Sequence, residues 1–132
     1  ASANGYVDFA GVGTYEMLPT ATGISQTKKH IGWMGSVASG TLTQKYSVAD
    51  GTTQSTATYT GNSSNRELFH FQGTGTTAVK FYKNGTLLGT LTSNIPTTSN
   101  FDQIVFGVSN AATASQSQSR QMNMFEFTKE MF

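Results

Sequence analysis

Cysteine is absent from this chain of 132 residues. That absence removes disulfide frameworks, thiolate nucleophiles and cysteine-based metal sites together, and it leaves the compartment open. Charge is scarce as well, with 8 Lys and Arg against 7 Asp and Glu and a net charge of +1. The basic residues Lys28, Lys29, Lys45, Arg66, Lys80, Lys83, Arg120 and Lys129 are scattered along the chain. A neutralising track for a phosphate backbone needs them gathered on one face, so nucleic acid is not an expected partner. No apolar run approaches the ~20 residues of a membrane-spanning helix, and membrane insertion is not expected. The N-terminus lacks the charged-then-apolar order of a signal peptide, and it opens Ala1-Ser2-Ala3-Asn4 without an initiator Met. The expectation is one β-sandwich domain over residues 1–132, a module excised or processed from a longer protein.

Hydroxyls are plentiful: 14 Ser and 21 Thr make up 35 of the 132 residues, enough to give a neutral, hydrogen-bonding surface. Apolar residues recur at period two, as in Glu67-Leu68-Phe69-His70-Phe71 and Gln121-Met122-Asn123-Met124-Phe125-Glu126-Phe127, and no segment carries a long helical pattern. Gly and Asn clusters punctuate these runs at the spacing of a sandwich or barrel. Strands are predicted near residues 6–9, 14–18, 29–36, 41–48, 52–60, 66–72, 77–83, 86–92, 103–108 and 120–128. Residues 94–100 and 109–119 read as polar loops. The sharpest local signal is Lys83-Asn84-Gly85-Thr86, because a type I′ turn needs positive φ at two positions that Asn and Gly tolerate best. It predicts a hairpin with Phe81 opposite Leu88, Tyr82 opposite Leu87, and Val79 and Phe81 buried on one face. Roughly ten short antiparallel strands with little or no helix must hide their edges and apolar faces, and a two-sheet jelly-roll sandwich does so at this length.

The stretch Ala78-Val79-Lys80-Phe81-Tyr82-Lys83-Asn84-Gly85-Thr86-Leu87-Leu88-Gly89-Thr90, followed by Asn94-Ile95-Pro96, resembles the late hairpin of concanavalin A-like (laminin-G-like) jelly rolls. More narrowly, it is similar to C-terminal modules of phage tail fibres, tailspikes and related viral proteins, with 103–108 and 121–127 as the last two strands. The resemblance covers residues 66–127. It implies a virion-surface or extracellular module, assembled as a homotrimer; many such domains bind a carbohydrate or a host-surface receptor, others only fold or trimerise a fibre, and a few are polysaccharide hydrolases or lyases. Fold likeness alone does not choose among these.

Chemistry-bearing residues are few. Glycoside hydrolysis needs two carboxylates facing one cleft, and the Glu-x-Asp-x-x-Glu strand of jelly-roll glucanases has no counterpart here. Arg66-Glu67-Leu68 resembles part of the Arg-x-Glu-Leu segment of jelly-roll alginate lyases, but that family's Gln-Ile-His and Tyr-Phe-Lys segments are missing. An enzyme is therefore not expected. His30 and His70 have no carboxylate at ligand-like spacing, and the Glu, Asp and Asn cluster of calcium lectins is absent, so no metal or other cofactor is expected.

Binding residues are predicted first around Trp33, whose small neighbours Gly32 and Gly35 leave room for an open ring, with His30, Tyr46 and Tyr59 as further candidates. Sugars commonly stack on such rings while polar side chains bond their hydroxyls. The second candidate is the polar face carrying Arg66, His70 and Gln72, with Phe69 and Phe71 turned to the core. Core packing and an ordinary solvated strand are the plain alternatives at these two places. Phe125, Phe127, Met131 and Phe132 make the C-terminus apolar and are candidates for an oligomer contact, or for burial within the sandwich. The leading expectation is a non-catalytic glycan- or receptor-binding module at the tip of a viral or phage appendage. The alternative is a structural virion protein such as a capsid, decoration or fibre-trimerisation domain, and a polysaccharide hydrolase or lyase ranks third.

Overall fold

A computed structural model of the protein describes residues 6–14, 27–38, 41–61, 66–97 and 103–110. These residues form eight antiparallel strands and no helix: β1 (Tyr6–Gly13), β2 (His30–Ala38), β3 (Thr41–Ala49), β4 (Gln54–Tyr59), β5 (Phe69–Thr74), β6 (Ala78–Lys83), β7 (Thr86–Leu91) and β8 (Gln103–Asn110). They make a five-stranded sheet, in the order β4-β3-β2-β1-β8, and a three-stranded sheet, β5-β6-β7. The expected all-β, two-sheet class is what the chain adopts. Neighbouring strands are consecutive in sequence except where β8 returns to pair with β1. The predicted strand at 120–128 lies outside the described residues, as does that at 14–18 apart from Thr14, which follows β1 without joining a strand.

The sheets meet through side chains that alternate along each strand. Ile31 and Trp33 of β2, Tyr46 and Val48 of β3 and Val12 of β1 face Val79 and Phe81 of β6 in one buried cluster. The ring of Tyr46 stacks on that of Phe81 at 4.7 Å, across the two sheets. Tyr46 reaches so far that a Cβ at position 89 of β7 would collide with its hydroxyl, so Gly89 is where the facing sheet makes room. Ile95 also belongs to this core, which corrects the reading of 94–100 as wholly polar.

Two predicted details change. The strand expected at 6–9 runs on to Gly13, through Gly11 paired opposite Gly32. The Phe9 ring lies over both glycines, and a Cβ at Gly32 would sit 2.6 Å from its Cζ, so the weak strand formers are covered by an aromatic. In the hairpin, Asn84 (φ 51°) and Gly85 (φ 80°) take the two left-handed positions that the turn demands. Tyr82 does face Leu87, but Phe81 faces Gly89, because a bulge between Phe81 and Tyr82 leaves Leu88 as the extra residue.

Candidate functional site

Trp33 is 4% exposed. The rings of Tyr59 (5.4 Å), Phe69 (4.8 Å), Phe81 (5.2 Å) and Tyr46 (6.1 Å) surround it, and they come from both sheets. This corrects the expectation of an open stacking ring: Gly32 serves the Phe9 ring on the opposite face, and Trp33 points into the sandwich. Tyr46, at 5%, is buried beside it, and Tyr59 is half-buried at the margin of the cluster. Neither Trp33 nor Tyr46 is offered to a ligand.

His30 is also fully buried, on the other face of the five-stranded sheet, where Phe9, Met34, Ser47 and Ala49 are buried with it. Its Nδ1 lies 2.7 Å from the Lys28 carbonyl, which only accepts, so Nδ1 carries the proton. Its Nε2 then accepts from the Ser47 hydroxyl at 2.6 Å, and the Gln54 amide donates to that hydroxyl at 2.8 Å. Burial pushes the His30 pKa down to about 4; the bond to Lys28 opposes that shift, and the charge of Lys45 adds to it. A hydroxyl hydrogen-bonded to an oriented imidazole is the pairing that activates a nucleophile. Here both groups are inaccessible, so the pair locks β2 to β3, where Ser47 stands two residues from Ala49, the residue directly opposite His30. His30 thus leaves the set of binding candidates.

The second predicted face is different. Burial alternates from residue 66 to residue 72, with Arg66, Leu68, His70 and Gln72 exposed and Glu67, Phe69 and Phe71 half-buried. Phe69 and Phe71 pack on the core as predicted. Pairing of β5 with β6 sets His70 opposite Tyr82 and Gln72 opposite Lys80, and β7 adds Leu87 beside Tyr82 and Thr90 beside Lys80. The rings of His70 and Tyr82 lie 5.3 Å apart and are tilted by 30°. Leu68 (63% exposed) and Leu87 (49%) flank them, so two adjacent rings, two leucines and a set of neutral and cationic donors share one open sheet face. Beyond the hairpin, Asn84 secures Leu68 by accepting its N–H on Oδ1 and donating its own N–H to the Leu68 carbonyl, both at 2.8 Å.

Tyr82 and Lys80 were not among the sequence candidates. The signal for them was the alternation in Ala78–Lys83, where burying Val79 and Phe81 turns Lys80 and Tyr82 outward. Their placement beside His70 and Gln72 needs the β5–β6 register, which the local sequence does not specify.

The carboxylates whose side chains are described are engaged elsewhere. Glu67 turns inward to Lys83 at 3.1 Å, and Lys83 also donates to the Thr60 carbonyl, which ties one end of the three-stranded sheet to the end of β4. Asp50 accepts the Thr53 and Thr52 amides at 2.9 and 2.8 Å, and those bonds hold its carboxyl well below the usual carboxylate range. Among the described residues no group of three His, Cys, Asp or Glu is disposed to hold a metal ion, and no helix is long and apolar enough to cross a membrane. Phe125, Phe127, Met131 and Phe132 lie outside the described residues.

Among the described residues the arrangement is all-β and two-sheeted, with the outer face of the three-stranded sheet open and aromatic-bearing. Compared with protein-family models, curated proteins and solved structures, the chain matches none.

Proposed function

We propose that this chain is a non-catalytic glycan-binding module whose site is the outer face of the three-stranded sheet. The observation that carries this reading is the pairing of the exposed His70 ring with the half-buried Tyr82 ring, bordered by Gln72, Lys80 and Thr90. Aromatic faces meet the C–H faces of a sugar, and amide, ammonium and hydroxyl groups at the rim bond its hydroxyls. Affinity per site is low in such a shallow face and rises by repetition, which suits a multimeric appendage. The likeness of the Ala78–Thr90 segment to viral fibre and tailspike modules of jelly-roll type supports that setting, a virion surface and a trimer.

A second reading, a structural virion domain whose partner is another copy, is favoured by Leu68 and Leu87 on the same face. One experiment separates the two: a glycan array probed with the wild type and with Tyr82→Ala, alongside light scattering. Glycan binding that disappears in Tyr82→Ala supports the module. A concentration-dependent oligomer that binds no glycan and dissociates in Leu68→Ser supports the structural domain.

A further inference from the structure

We propose that the ligand of this face is an acidic oligosaccharide, one bearing carboxylate or sulfate groups along its length; the proposal rests on the glycan-binding reading above. From Arg66, three residues before β5, to Gln72 the chain covers six residue steps, a span of at most about 20 Å, with burial alternating along it. Arg66 stands at one end of that line, and Lys80, opposite Gln72, stands at the other. The His70–Tyr82 rings lie between them. Cations at both ends of an aromatic platform match a chain whose negative charges recur, where a single acidic sugar would reach only one of them.

The face carries no compensating charge among the described residues. Glu67, the acidic residue nearest in sequence, has its carboxylate turned inward to Lys83, and Asp50 belongs to the turn between β3 and β4 in the other sheet. Neither Arg66 nor Lys80 takes part in an ion pair among the described residues. On a chain with only 11% charged residues, two cations on one face with no ion-pair partner among the described residues create a local positive field. The Arg66 guanidinium is a planar fork that fits a carboxylate or a sulfate through two parallel bonds, and Lys80 supplies a point charge that either group accepts.

The test uses two matched pairs of polymers that differ only in charge: polygalacturonate with its methyl ester, and dextran sulfate with dextran. Calorimetric titration of the whole chain should show at least one anionic polymer binding about tenfold or more tightly than its neutral twin. Arg66→Gln and Lys80→Gln should each weaken that binding roughly fivefold, the scale of one exposed ionic contact. Lys28→Gln, which removes the same charge from outside this face, should leave it unchanged. If the neutral twins bind as tightly and only Tyr82→Ala abolishes binding, the glycan-binding reading stands and the acidic class is overturned. If Lys28→Gln weakens binding as much as Lys80→Gln, diffuse charge explains it and the site is overturned. If all four polymers and a broad glycan array give no binding, the glycan-binding reading itself fails and carries this inference with it.

Discussion

The two sheets of this protein treat their faces differently. The five-stranded sheet is buried on both sides where β1, β2 and β3 pass: Trp33, Tyr46 and Val48 face the other sheet, and Phe9, His30, Met34 and Ser47 are buried on the reverse. The three-stranded sheet buries Val79 and Phe81 on one side and exposes His70, Gln72, Lys80 and Leu87 on the other. The chain's two histidines, one in each sheet, make the same point, since His30 of β2 is locked in a neutral hydrogen-bonded chain while His70 of β5 stands in solvent beside a ring. Residue type alone therefore does not mark a site. Trp33, Tyr46 and His30 of the first sheet are taken up in packing, whereas on the second His70 is exposed beside the half-buried Tyr82, with Phe69, Phe71 and Phe81 turned to the core.

Substitutions should respect this division. Trp33→Ala removes the ring that contacts four others and should cost about 3–5 kcal/mol, read by urea denaturation. A near-neutral result would break the contrast at its strongest point.

Acid should act next through His30. Its folded-state pKa of about 4 lies below the 6.5 of the unfolded chain, so the unfolded state takes up the proton first. Stability is full above pH ~6.5 and falls progressively between 6.5 and 4, by about 3 kcal/mol in all. Denaturation across that window should show the fall, and His30→Gln should flatten it. The Asp50 contribution has the same sign but is lost only below the ordinary carboxylate range, which keeps the two windows apart.

Gly89→Ala sets a methyl against the Tyr46 hydroxyl and should cost roughly 1–3 kcal/mol, with partial recovery when Tyr46→Phe is added, measured as a double-mutant cycle. His70→Ala, on the open face, should shift stability by no more than about 0.5 kcal/mol while weakening glycan binding, which thermal unfolding and titration together would reveal.

Much of the fold was legible because its signals are local. Alternation in Phe69-His70-Phe71-Gln72 told inward from outward, and Asn84-Gly85 located the hairpin turn, since each depends on only a few neighbouring residues. The bulge at Phe81 and Tyr82 was not legible, because it reflects how β7 accommodates the opposing sheet at Gly89 and Tyr46. Trp33 was misplaced for a related reason. Small neighbours such as Gly32 suggest an open ring, yet the space they leave is filled from β1 by Phe9, on the face opposite Trp33. The bond between His30 and Ser47 required the β2–β3 pairing, and the meeting of His70 with Tyr82 required the β5–β6 register, both long-range facts that no single segment encodes.

The most direct test of the division between the sheets is to follow the backbone amides of the isotopically labelled protein while adding a glycan selected on the array. Shifts concentrated at His70, Gln72, Lys80 and Tyr82, with Trp33 and His30 unmoved, are the predicted result. Shifts confined to the five-stranded sheet, or binding undiminished in a His70→Ala, Tyr82→Ala double variant, would contradict it.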